Sequence, residues 1–331
     1  MGSGVNNVTQ KSFCRNSLCV TITEAMNDPV QALLRRLHGQ QPLRGGSLIV
    51  TLCGDAIAPR GGRITLGSLI RLAAPFRLTE RLVRTAVARL ANDGWLVAHR
   101  EGRQSEYRLT PVGEQRFAEA TRRIYGPAPQ LWDGNWTLVI LQTSAAREEL
   151  RWLGFGQLGP ATFAHPNCSL EQAREWLANI EGAAAAVCLR SSSGALQVDR
   201  QVSALGWDLA ELTRRYRGFV SMFAPVAAAV RSAPLEPDAA LIIRTLLIHE
   251  YRKIHLRDPL LPATLLPHDW VGTAAYEVTR QLYSLVFESA EQFISATAAT
   301  LRGALPPAEP SVYQRFGVIQ PNSPVARRKS A

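Results

Sequence analysis

The stretch Leu78 to Thr110, LTERLVRTAVARLANDGWLVAHREGRQSEYRLT, decides the fold. Thr79 is placed to cap a helix that runs to about Asp93, with Gly94 just past its end. At 100° per residue, Leu82, Val83, Ala86, Val87 and Leu90 share one side of that helix, and Arg81, Arg84, Thr85, Ala88 and Arg89 share the other. The apolar side has to be buried. The opposite side is a guanidinium surface with a hydroxyl in its middle. After Gly94 the period turns strand-like. Residues 95–100 (Trp-Leu-Val-Ala-His-Arg) and 105–110 (Ser-Glu-Tyr-Arg-Leu-Thr) read as two strands joined by Glu101-Gly102-Arg103-Gln104. A polar helix face is commonly just solvated. Here a hairpin with Arg100 and Arg103 near its tip follows at once, and that order matches a winged helix meeting duplex DNA. The DNA-contacting set read from this stretch is Arg81, Arg84, Thr85, Arg89, Arg100 and Arg103.

Upstream, residues 47–56 form a first helix, 63–65 a short strand, and 66–74 a second helix stopped by Pro75. Thr110-Pro111 opens a connector helix to about Tyr125. Beyond Gly126-Pro127-Ala128-Pro129 the pattern changes. Strand 136–142, helix 145–153, strands 154–158 and 161–165, helix 170–180 and strand 184–189 give β-α-β-β-α-β, the ferredoxin-like split unit. From Trp207 the pattern is helical, in blocks at 207–231, 238–256 and 271–301 separated by prolines.

The fold class is therefore α+β: an N-terminal winged helix-turn-helix domain, a central ferredoxin-like domain resembling the small CRISPR-associated nucleases, and a C-terminal all-helical domain. The expected boundaries are a partly disordered leader at 1–43, the DNA-binding domain with its connector at 44–126, the central domain at 127–205, the helical domain at 206–305 and a tail at 306–331.

Composition agrees with an anionic partner. The 331 residues carry a formal charge of +10 and a pI near 9.9, which favours nucleic acid, membrane surface or a phosphorylated ligand. Arginine count by itself is discounted, because the chain has 34 Arg and three Lys throughout. Its distribution is more telling: between Arg44 and Arg123, 14 arginines stand against seven acidic residues. The five cysteines are scattered and lack CxxC pairing, so neither a disulfide framework nor a zinc site is implied. No signal-peptide h-region or membrane-spanning run is evident, and the reading is a soluble, cytoplasmic protein.

Residues 154–159 spell G-x-G-x-x-G, but a helix precedes them and Pro160 follows. A dinucleotide fingerprint must follow a strand and open a helix. In the central domain the first strand ends at Leu141-Gln142-Thr143, without the carboxylate that a metal-dependent nuclease would need there. Asp133 lies before the strand instead. Hard ligands to hold a divalent ion and its water are missing, and the chain is read as a non-enzyme with no resident cofactor or metal.

The helix from Asp238 places Arg244, Ile248, Tyr251, Arg252 and His255 within roughly 100° of arc. Three potential cations and a phenol on one face have the makings of a phosphate grip, or of ion pairs to a neighbouring helix. Arg257-Asp258-Pro259 ends that helix.

Taken together, these stretches resemble the PaaX family, repressors of phenylacetic acid catabolism. The matching segments are Gly54-Asp55 with Arg60-Gly61-Gly62, Val83-Arg84-Thr85-Ala86 with Arg89-Leu90, Gly94-Trp95-Leu96, and Trp132-Asp133-Gly134-Asn135-Trp136. Gly154-Phe155-Gly156, Tyr251-Arg252-Lys253, Arg257-Asp258-Pro259-Leu260-Leu261-Pro262, Trp270 and Tyr313-Gln314-Arg315-Phe316-Gly317 follow. They run in order from Arg44 to Gly317. The resemblance implies a homodimeric repressor on double-stranded operator DNA, released by phenylacetyl-CoA. On that implication Arg244, Tyr251, Arg252, His255, Arg257 and Trp270 are the candidate effector residues. Alternatives are a regulator answering another aryl- or acyl-CoA and a nucleic-acid-processing enzyme built on the central domain.

Overall fold

The computed structural model describes residues 24–39, 45–126, 131–144, 146–183, 185–232 and 235–317. Residues 1–23 and 40–43 of the expected leader, Arg44 at the start of the expected DNA-binding domain, 127–130 at the expected domain boundary, and 318–331 of the tail, Arg327-Arg328-Lys329 included, lie outside them.

Within the leader, α1 (Glu24–His38) is a helix. Val30, Leu33, Leu34 and Leu37 fall at helical spacing on one face, and all are buried against two C-terminal helices introduced below. Next come α2 (Gly45–Leu52), β1 (Arg63–Thr65), α3 (Leu66–Ala73), α4 (Glu80–Asn92), β2 (Leu96–Glu101), β3 (Gln104–Leu109) and α5 (Pro111–Tyr125). The helix expected over 47–56 changes pitch. After Leu52 the chain continues through a wide π turn, Cys53–Ile57, and a 3-10 turn, Ala58–Arg60. Strands β1, β3 and β2 form one antiparallel sheet in that order, with Leu96 opposite Leu109 and Ile64 opposite Tyr107.

The central unit holds β4 (Trp136–Ile140), α6 (Arg147–Trp152), β5 (Gly156–Gln157), β6 (Thr162–His165), α7 (Leu170–Ala178) and β7 (Val187–Ser191). Its sheet order is β5-β6-β4-β7, every neighbouring pair antiparallel, which is the order a split β-α-β unit generates. Val139, Phe163, Leu150 and Leu177 fill a small core of its own. Helix α8 (Leu196–Gly206) follows in a stretch left unassigned from sequence. Trp136 Nε1 donates to Asp199 on α8 at 2.7 Å, and Trp136 stacks on Trp207 at 6.2 Å.

The remaining helices are α9 (Leu209–Ser232), α10 (Pro237–His255) and α11 (Gly272–Thr297). On α10 every residue from Ala239 to His249 is buried, because α1, α2, α9 and α11 all pack around it. The C-terminal part is not all-helical as expected. The helix ends at Ala298, whose backbone is extended, and a small hairpin follows, β8 (Ala299–Thr300) and β9 (Gly303–Ala304). Its turn uses Gly303 at φ +123°, a conformation open to glycine. The hairpin is sewn to the N-terminal sheet: Leu301 N–H donates to buried Glu106 at 2.8 Å, and Ala299 N–H to Ser68 Oγ at 2.9 Å. The N-terminal unit and α9–α11 share one continuous hydrophobic core. No helix among the described residues is long and apolar enough to cross a membrane.

At the centre of that shared core is a buried ionic cluster. Asp55 Oδ1 accepts from Tyr125 Oη (2.6 Å), Tyr283 Oη (2.9 Å) and Arg315 Nη1 (2.8 Å), and Oδ2 accepts from Arg244 Nε at 2.7 Å. Arg244 Nη1 also donates to Glu291 at 2.6 Å, and Arg60 donates to the other Glu291 oxygen. Burial pushes the Asp55 carboxyl up, but the guanidiniums of Arg244 and Arg315 and the Tyr125 hydroxyl outweigh it and hold it below the ordinary range. A depressed folded-state value stabilises the fold above the unfolded carboxyl's pKa, about 4, and this is lost as pH falls through the folded value. Asp55→Ala leaves two buried guanidiniums short of a carboxylate, so it should cost about 3–5 kcal/mol at neutral pH. Urea unfolding at neutral pH and again below about pH 4 checks this. The gap between wild type and variant should narrow only on the acid side.

Candidate nucleic-acid interface and ligand cavities

Helix α4 begins where Thr79 Oγ1 accepts the Leu82 N–H, and Val83, Ala86, Val87 and Leu90 bury its inner face. Arg81, Arg84, Thr85 and Arg89 are all exposed. Arg84 donates to Glu80 one turn earlier through Nε (2.8 Å) and Nη2 (2.5 Å), while Arg89 sits 3.8 Å from Asp93. Exposed pairs of this kind contribute about 0–1 kcal/mol, so an arriving phosphate or base edge displaces either at little cost. The Thr85 hydroxyl donates to the Arg81 carbonyl at 2.8 Å and keeps its lone pairs outward.

The β2–β3 hairpin turns at Gly102, φ +56°, and presents Arg100 and Arg103 as exposed side chains. All six expected DNA residues are therefore at the surface of two consecutive elements. The register adds one pair that sequence reading missed, since Arg63 of β1 lies directly opposite Arg108 of β3 on the outer face of this sheet. Like charges placed so repel and favour an anionic neighbour. A three-residue strand gives no sequence signal of its register.

The candidate effector residues do not form one site. Arg244 is fully buried in the Asp55 cluster. Arg252 ties α10 to α2, donating to Thr51 Oγ1 (2.9 Å), Ser47 O (2.8 Å) and Ser47 Oγ (2.7 Å). It borders a cavity of about 120 Å3 against Phe117 and Tyr125. Arg257 is exposed. Tyr251, His255 and Trp270 do meet, in a slot of about 150 Å3 that Tyr216, Asp258 and Tyr276 also line. Beside it opens a cavity of about 960 Å3 between α5, the central unit and the Pro259-Leu260 turn.

Three family models match the chain in order: PaaX-like protein over 44–113, PaaX protein central Cas2-like domain over 129–203, and PaaX-like protein C-terminal domain over 207–296. The chain is also 35% identical over 290 residues to the Transcriptional repressor PaaX of Escherichia coli (strain K12), covering 83% of this chain and 91% of that protein. The chain belongs to the PaaX family.

The segments that carried the PaaX resemblance hold structural posts here. Asp55, Arg60 and Arg315 build the ionic cluster. Asp258 accepts from Tyr216 Oη at 2.7 Å and from Leu260 N–H at 2.8 Å. In the Cas2-like domain Gln142 follows β4, and Asp133 is paired with Arg190. Of the 154–159 glycines, Gly154 follows α6, Gly156 is in β5 and Gly159 lies in the β5–β6 turn; as their context predicts, they open no helix.

A separate prediction concerns Arg252, whose three hydrogen bonds stitch α10 to α2. Arg252→Gln should lower stability by about 1.5–3 kcal/mol, the range for hydrogen bonds to a charged group. Thermal melting in the absence of any ligand checks this. An unchanged melting temperature would free Arg252 for a ligand-binding role.

Proposed function

We propose that this chain is a transcriptional repressor that binds double-stranded operator DNA as a homodimer in the cytoplasm and is released by an acyl-CoA-type effector, phenylacetyl-CoA being the first to test. The observation that carries the reading is the exposed Arg81, Arg84, Thr85 and Arg89 face of α4 beside an arginine-tipped hairpin, in a chain that aligns along most of its length with a named repressor. The three helices α2, α3 and α4 followed by the hairpin act as a winged helix-turn-helix. Helix α4 enters the major groove, where guanidiniums read guanine edges in pairs of hydrogen bonds. Arg100 and Arg103 on the wing grip phosphate, which adds affinity without sequence preference.

The two roles separate by experiment. Arg84→Ala and Arg89→Ala should each weaken operator binding by about 1–3 kcal/mol and leave binding to a scrambled duplex much less affected. Replacing Arg100 or Arg103 should weaken both duplexes alike and flatten the salt dependence by about one unit per lost phosphate contact. Fluorescence anisotropy over a salt series reads both effects. Unchanged operator affinity in the α4 variants removes α4 from the interface.

A further inference from the structure

The slot walled by Tyr216, Tyr251, Trp270 and Tyr276 contains a polar atom that no described residue pairs with. Tyr251 is fully buried, yet among the described residues its hydroxyl has no hydrogen-bond partner. Tyr216, by contrast, is satisfied, donating to Asp258. A buried hydroxyl left unpaired costs free energy that a folded protein ordinarily avoids. The Tyr251 ring is fixed by stacking on His255, centroids 4.6 Å apart, and by Phe219 at 5.6 Å. Trp270 stands edge-on to Tyr216 at 5.6 Å, leaving flat walls around a space of about 150 Å3. An apolar cavity of about that volume accepts a benzene ring.

Leu260 borders both the slot and the 960 Å3 cavity. Its backbone is left-handed at φ +53°, unusual for a leucine, and Asp258 holds it there through the Leu260 N–H. The larger cavity has a mixed lining, with Arg123, Arg190, His165 and Ser169 on its walls together with the carboxylates of Asp133 and Glu171 and the side chains of Leu131 and Leu153.

We propose that the slot takes a planar aromatic ring carrying a carbonyl oxygen within one or two atoms of it, that this oxygen accepts the Tyr251 hydroxyl proton, and that the rest of the ligand leaves past Leu260 into the larger cavity. This places the acyl end of the effector named above, and rests on that reading for the ligand's class. It leaves the buried Arg244 out of ligand recognition and assigns the acyl group to Tyr251, Trp270 and the Leu260 turn. The slot also reaches the DNA-binding unit. Arg123 of α5 donates to the Asp258 carbonyl at 3.2 Å, and His255 Nε2 meets the Arg123 carbonyl at 3.0 Å.

The test is calorimetry on the full chain with phenylacetyl-CoA, with free CoA as the control, in wild type and in Tyr251→Phe. Removing an oxygen that has no partner should leave operator affinity unchanged and the melting temperature equal to wild type or slightly higher. Phenylacetyl-CoA should then bind the variant about three- to tenfold more weakly, the loss expected for one hydrogen bond, while free CoA binds both proteins alike. Equal phenylacetyl-CoA affinity in the two proteins overturns the slot assignment and leaves the repressor and effector reading standing. Wild type that binds operator DNA but not phenylacetyl-CoA overturns the effector reading, and the slot assignment with it. As a second readout, phenylacetamide, a ring and carbonyl without the CoA, should compete with the thioester in wild type. Failure to compete also counts against the slot.

Discussion

The Asp55 carboxylate is the point on which the rest of the structure depends. It accepts hydrogen bonds from four side chains that lie on four separate parts of the chain: Tyr125 at the end of α5, Arg244 on α10, Tyr283 on α11, and Arg315 after the last hairpin. Arg244 also has Glu291 and Arg315 also meets Tyr283, but each of the four loses its charged acceptor at Asp55 without it. Buried charges are tolerated only when paired and hydrogen-bonded, so the cluster is formed completely or at considerable cost. The guanidiniums add ring contacts, with Arg315 lying 4.1 Å from the Tyr125 ring and Arg244 5.0 Å from Tyr283. The N-terminal unit is thus locked to the C-terminal helices by electrostatics as well as by a shared apolar core. The Cas2-like unit keeps its own core and joins through Trp136, Asp199 and Trp207.

That architecture puts α5 between α4 with its hairpin and the aromatic slot. Its first turn is tied to the end of α4: Thr110 donates to the carbonyls of Gly94 and Trp95, and Phe117 meets the Trp95 ring edge-on at 5.6 Å. Its last turn carries Arg123, which is held by Asp258 and His255 at the rim of the aromatic slot. A ligand that shifts the Asp258–Leu260 turn therefore acts on one end of a helix whose other end abuts α4 and the wing. Gly113 lies on this path. A β-carbon there would stand 2.2 Å from the Trp95 carbonyl oxygen, so α5 approaches the base of the hairpin as closely as the backbone allows.

Local pattern was legible in the sequence, and long-range pairing was not. The α4 stripe at 83, 86, 87 and 90, its Thr79 cap and the hairpin after Gly94 could all be read because each depends on neighbours a few residues away. The β-α-β-β-α-β order of the central unit was legible for the same reason. Arg244 shows where that reasoning stops. Its partners Asp55 and Glu291 are 189 and 47 residues distant, and α10 is buried on every side from Ala239 to His249. A helical wheel that assumes one wet face has nothing to work on there. The same limit hid α1's packing, helix α8 and the return of Arg315 and Phe316 into the core. Within the slot, the sequence brought Tyr251, His255 and Trp270 to attention, but the unpartnered Tyr251 hydroxyl and the left-handed Leu260 exist only in three dimensions.

The central claim is that α4 and the wing form the surface that meets DNA while the Cas2-like unit stays clear of it. Hydroxyl-radical footprinting of the full chain, free and bound to a duplex spanning its own operator, measures this directly through side-chain oxidation along the whole sequence. The account predicts that DNA lowers oxidation in the peptide covering residues 78–110 and leaves residues 131–203 unchanged. Protection confined to the central unit, with Leu82, Val97 and His99 oxidised as in the free protein, would contradict it.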